Sequence, residues 1–81
     1  MNIKNNIRNY LFDKEYCICS YENSVYVYKY NYLESFNDKR ITLKLESKII
    51  SVNGLNLRIM KITKDEILIH GEIKSIEMTR L

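Results

Sequence analysis

The chain has no proline and no tryptophan, and only two glycines, two cysteines and one histidine among 81 residues. Cys17 and Cys19 are too few for the disulfide framework of a small secreted domain. A disulfide between them is disfavoured, because neighbours on one strand face lie about 6.5–7 Å apart at Cα with parallel side chains. A structural zinc site wants four ligands, and His70 is the only other strong candidate. Cys17 and Cys19 therefore read as two small apolar residues on a buried strand face, with no metal and no cofactor. Charge of one sign is also scarce: 13 basic against 10 acidic residues leave a net +3, too little to argue for nucleic acid by itself. Long apolar runs are missing. The N-terminal MNIKNNIRNYLF is interrupted by Lys4 and Arg8, so it is neither a signal peptide nor a transmembrane helix, and nothing else approaches a spanning length. The default is a soluble cytoplasmic protein. No P-loop, dinucleotide fingerprint or paired-carboxylate motif is present. His70 has no Ser-His-Asp or Cys-His order around it and reads as a surface or interface histidine. Asp65-Glu66 reads as a solvated turn. No catalytic residue is assigned, and the chain is expected not to be an enzyme.

What is present is alternation, and no proline interrupts it. Apolar and polar residues alternate through Arg40–Glu46, so that Ile41, Leu43 and Leu45 share a face. The same pattern runs from Ile49 to Met78, through an Asn53-Gly54 pair and a polar Thr63–Glu66 step. Asn-Gly favours a two-residue hairpin turn, which would pair Val52 with Leu55 and Ile50 with Leu57. Two phase slips interrupt the pattern. Ile59 and Ile62 are three apart, which asks for a bulge near Met60–Lys61; Ile73 and Ile76 are three apart just after Gly71. Such slips tighten twist and curl a sheet. Upstream, residues 15–21 form a first strand and residues 25–30 a second. In the second, Val25 and Val27 point one way while Tyr26, Tyr28 and Tyr30 point the other. Residues 31–39 form a short strand or bend ending in an Asn37-Asp38-Lys39 turn. At the N-terminus, Ile3, Ile7 and Leu11 fall on one face of a helix over residues 2–13, with Lys4 and Arg8 on the other.

These readings describe one domain over residues 1–81, with a 2–13 helix and strands across 15–78. The fold class is mainly β: about six short antiparallel strands in a curled sheet, sandwich or small barrel. A chain of this length buries only roughly 60–65% of its unfolded surface, so self-association would help it. The tyrosine face has apolar bodies and wet tips, which suits an interface. Tyr26, Tyr28 and Tyr30 are the candidate protein-contact residues, and Asn53, Gly54 and Gly71 the structural turn or bend positions.

Tyr32 to Met78 resembles the YabP/YqfC family of sporulation proteins. The resemblance is carried by Glu34-Ser35-Phe36 followed by Asn37-Asp38, then by the alternating Ile41, Leu43 and Leu45. Two glycine blocks follow: Ile50, Val52, Gly54, Leu55, Leu57 and Ile59, and then Ile67, Ile69, Gly71, Ile73 and Ile76. The family often has glycine where this chain has Lys48, which bears on the turn type there. The resemblance implies a small β-rich protein of endospore formation, concerned with spore development or coat assembly and acting on the mother-cell side. It implies other sporulation proteins as partners, a membrane-embedded one among the candidates, without direct membrane insertion, and it transfers no catalytic residue. A different class of function stands beside it: an RNA-binding small β-barrel of Sm-like size, in which exposed tyrosines would stack bases and Lys29 would meet phosphate. The modest, spread charge disfavours nucleic acid.

Overall fold

The computed structural model describes residues 17–80. The 2–13 helix expected from the sequence lies outside the described residues. Six strands follow in order: β1 Cys17–Ser20, β2 Ser24–Tyr28, β3 Tyr32–Phe36, β4 Arg40–Lys44, β5 Lys48–Ile62 and β6 Glu66–Arg80. They lie in one sheet in the order β1-β2-β6-β5-β4-β3, every neighbouring pair antiparallel. β1 and β3 are the outer strands and do not pair with each other, so the sheet is not closed into a barrel.

The spine is the β5–β6 hairpin, each strand 15 residues long. Its turn is the polar step read from the sequence. Thr63 N donates to the Glu66 carbonyl at 2.8 Å, and Thr63 Oγ1 accepts from the amides of Asp65 at 3.3 Å and Glu66 at 3.1 Å. A hydroxyl closing its own turn in this way stands in for a backbone acceptor. Asn37 does the same between β3 and β4, its Oδ1 accepting from Lys39 N and Arg40 N at 2.8 Å each.

The two ends of the hairpin serve different neighbours. β2 pairs with Glu66–His70 of β6, while β4 pairs with Ile49–Asn53 of β5. β2 and β4 never pair, yet Val25 and Val27 belong to the same buried cluster as Ile41 and Leu43. The sheet therefore curls on itself and holds its core inside the curl. Val25, Val27, Ile41, Leu43, Leu45, Ile50, Val52, Ile67 and Ile69 are completely buried. All are aliphatic, and each contributes about 1.5–3 kcal/mol by leaving water. Alternation selects them: within each strand the core residues stand two apart, as the pleat requires.

Three register shifts in the β5–β6 ladder produce the curl, at Asn53/Gly54, Leu55/Arg58 and Ile59/Lys61. The last skips Met60, and the first skips Lys74 between Ile73 and Ser75. Both slips in the sequence pattern are thus bulges. The middle shift carries Asn56 at φ 54 and faces Gly71 at φ 150. Neighbouring turns fasten onto this bend. Gly54 N donates to Lys39 O at 3.0 Å, Leu57 N to Asp38 O at 2.8 Å, and Gly71 N to Asn23 O at 3.0 Å.

Several expectations are corrected. Asn53-Gly54 is not a hairpin turn: β5 runs unbroken through it, and neither residue has positive φ. Val52 pairs with Ile76 and Ile41 instead of Leu55, and Leu55 is exposed. The glycine serves close approach rather than turning. A Cβ on Gly54 would run into the carbonyl oxygen of Glu72 and lie 3.1 Å from Leu57 Cδ2. β5 and β6 are long rather than short, and in β5 the expected 50–59 hairpin is one continuous strand. Of the strand or bend expected over residues 31–39, residues 32–36 take the strand form.

Candidate interaction face

The outer face of the β1-β2-β6 half carries most of the residues singled out by the sequence. Directly paired residues of an antiparallel ladder share a face. Cys17 and Cys19 stand opposite Tyr28 and Tyr26, which stand opposite Glu66 and Leu68. Ser24 stands opposite His70, which stands opposite Arg58. All but Arg58, which is exposed, are half-buried. Cys17 and Cys19 were expected on a buried face; it is Ile18 between them that packs against the core.

Glu66 organises the face. Tyr26 Oη donates to Glu66 Oε2 at 2.6 Å, and Lys61 Nζ pairs with Glu66 Oε1 at 2.9 Å. The Tyr26 hydroxyl first, and then Lys61, hold the Glu66 carboxyl below its ordinary value. Burial raises the Tyr26 hydroxyl well above its ordinary value, and the bond to Glu66 adds to that. Ser24 Oγ and His70 Nδ1 share a hydrogen bond of 3.0 Å. Cys17 Sγ lies 3.8 Å from Cys19 Sγ. Burial, then the contact with Cys19, pushes the Cys17 thiol up to about 11.

Tyr30 does not share this face. Lys29 adopts φ 65, a left-handed conformation that breaks the alternation after Tyr28. Tyr30 packs against the core cluster instead, and its hydroxyl donates to the Thr63 carbonyl at 2.6 Å. Burial raises that hydroxyl above its ordinary value, with Asp65 adding to the effect. The three tyrosines therefore divide into a surface pair and one residue that braces the β5–β6 turn. Asn53 lies on the other half of the sheet, where its Nδ2 donates to Glu77 Oε1 at 2.8 Å and Ser75 Oγ at 3.2 Å. Gly54 and Gly71 are at the bend.

Neither Glu66, expected in a solvated turn, nor Lys61, expected at a bulge, was a candidate contact residue by sequence, and Glu66 is half-buried at the start of β6. Glu66 sits 40 residues from Tyr26, and only the β2–β6 pairing brings them together. No group of three or more metal-ligating side chains occurs among the described residues. No described helix is long and apolar enough to cross a membrane.

The backbone has exposed edges as well. Beyond His70, β6 pairs only with β5 among the described strands. Ile73 and Ile76 are half-buried there, and Met78 is 43% exposed.

The fold and this face define a class: a small antiparallel β protein with one open, curled sheet and a mixed aromatic and polar outer surface. The YabP family model matches residues 19–80, from β1 to the end of β6, and the chain belongs to that family. Its family name suggests a sporulation-related role. Neither the curated proteins nor the solved structures contain a match.

Proposed function

We propose that this protein is a non-enzymatic assembly component of endospore formation, working in spore development or coat assembly by binding other proteins. The family match over residues 19–80 carries this reading. Two surfaces suit protein contact: the Tyr26–Tyr28 face and the edge of β6 at residues 72–76, which pairs only with β5 among the described strands. Tyrosine supplies contact area at low conformational cost. An open strand edge accepts a further strand through main-chain hydrogen bonds. The protein acts on the mother-cell cytoplasmic side, with other sporulation proteins as partners, one of them membrane-embedded.

The test is deletion of the gene in a sporulating host, with heat-resistant spore counts, electron microscopy of the coat and affinity capture during sporulation. The reading expects fewer or structurally altered spores and recovery of sporulation proteins, with recovery reduced by Tyr28→Ala. Normal spores with no sporulation protein captured would overturn it. Tight, salt-sensitive binding of single-stranded RNA in a fluorescence-anisotropy titration would replace it with the RNA-binding reading.

A further inference from the structure

We propose that Asn53-Gly54 is a modification site, at which the Asn53 amide is lost through a cyclic imide when the β5–β6 bend opens and is kept intact while the sheet is folded. The inference stands on the geometry of the bend and is independent of the sporulation reading.

Two structural demands build the reactive pair. Position 54 takes glycine because a Cβ there would run into the Glu72 carbonyl oxygen of β6. Asn53 ties β5 to β6, its Nδ2 donating to Glu77 Oε1 at 2.8 Å and to Ser75 Oγ at 3.2 Å. A carboxylate only accepts, so the amide nitrogen is the atom that faces Glu77. Together these demands set an asparagine directly before the one residue type that has no side chain to shield its backbone nitrogen. In an opened chain that nitrogen reaches the side chain of the asparagine before it.

The step needs water alone. Gly54 N gives its proton to solvent base and attacks Asn53 Cγ. The new N–Cγ bond closes a five-membered ring, the Cγ–Nδ2 bond breaks, and Nδ2 leaves as ammonia. Water then opens the ring at either carbonyl, leaving aspartate or iso-aspartate at position 53 with no change in oxidation state.

The fold withholds each requirement of this step. Gly54 N is engaged, donating to Lys39 O at 3.0 Å. The leaving amide is held across the ladder by Glu77 and Ser75. Asn53 lies inside β5 and pairs with Arg40 on one side and Ser75 on the other. That pairing keeps its ψ in the extended region, and the ring needs a ψ outside it. Ring closure therefore requires β4 and β6 both to release this position, which is a local opening of the sheet.

Return is blocked as well. Either product puts a carboxylate where the amide met Glu77 Oε1, and like charges across a ladder destabilise it. Iso-aspartate also adds a carbon to the main chain at the Asn53/Gly54 register shift, which misaligns the residues on either side. A chain that opens at the bend and is modified there leaves the folding equilibrium.

The test incubates the full chain at neutral pH in native buffer and in urea, with peptide mass mapping over time and iso-aspartate resolved by chromatography. In urea, Asn53 should convert ahead of Asn23, Asn31, Asn37 and Asn56. In native buffer its conversion should be slower by about 100-fold or more, the protection given by an opening that costs about 2.7 kcal/mol. After dilution from urea, unmodified chains should regain the parent's circular dichroism and iso-aspartate chains should not. Asn53→Asp should melt several degrees below the parent at neutral pH, and adding Glu77→Gln should recover most of that loss. Equal rates in buffer and urea, slower conversion of Asn53 than of the other four asparagines in urea, refolding of iso-aspartate chains to the parent's melting temperature, or no recovery with Glu77→Gln would each overturn the proposal.

Discussion

The bend of the long hairpin makes a prediction that separates two uses of one glycine. Were Asn53-Gly54 a tight turn, Gly54 would be required for positive φ, and asparagine, which tolerates that conformation, would be an acceptable replacement. Within β5, Gly54 faces a different constraint. Its missing Cβ leaves room for the Glu72 carbonyl on the paired strand, with Leu57 Cδ2 at 3.1 Å behind it. The atom in the way is backbone of β6 held in the β5–β6 ladder, and Gly54 itself is held from β4's side by its N donating to Lys39 O, so neither can step aside as a side-chain tip would. Overpacking of this kind costs typically 1–3 kcal/mol, and a backbone obstacle places Gly54 at the upper end, about 3 kcal/mol. A domain of this size loses about 4–8 °C in Tm per kcal/mol, so Gly54→Ala and Gly54→Asn should each melt about 12–24 °C below the parent. Thermal and urea unfolding followed by circular dichroism would measure this. The asparagine variant is decisive: a loss under about 1 kcal/mol would refute close approach and restore the turn.

Tyr26→Phe should cost about 1 kcal/mol. Bonds to charged groups are worth about 1.5–3 kcal/mol, and exposure of Lys61 beside the pair screens part of it. Because the Glu66 carboxyl is held below its ordinary 4.5, its contribution is present above that pH and is lost as pH falls through the folded value. Tyr26→Phe should therefore flatten the acid limb of a stability–pH curve, and an unchanged limb would count against the Tyr26–Glu66 bond. Leu43→Ala, at a completely buried position, should lose about 2–5 kcal/mol in urea unfolding; a loss below 1 kcal/mol would remove it from the core. Folding raises the Cys17 thiol from 9.0 to about 11, so its stabilising effect is present below pH 9 and declines as pH rises toward 11. Alkylation of Cys17 at pH 8, read by peptide mass mapping, should be slower in the folded chain than in urea on the order of 100-fold. Equal rates would show that burial does not protect it.

Much of this architecture is local in origin and was legible in the chain. A strand's faces alternate with a period of two whatever it pairs with. That is why Ile41, Leu43 and Leu45, and Val25 and Val27, identify themselves as core, and why phase slips after Ile59 and Gly71 announce bulges. The Asn37 and Thr63 turns are equally local, each closed by a side chain upon its own backbone. The β-rich class and the resemblance to the YabP/YqfC family rest on the same positions.

Other features depend on which strand lies beside which, and no window of sequence holds that information. Asn-Gly looks alike in a hairpin turn and in a close approach of two strands; only pairing of β5 with β4 and β6 decides for the latter. Tyr30 leaves the tyrosine face because Lys29 turns left-handed where β2 must hand the chain to β3. Glu66 is a turn residue by sequence and the organiser of the outer face by structure, since its partner Tyr26 arrives from the far end of the chain. The sequence by itself determined which residues avoid water and how far apart they stand. The tertiary structure decided how the long hairpin bends and which polar groups share a surface, because a bend and a shared surface are made by contacts between distant segments.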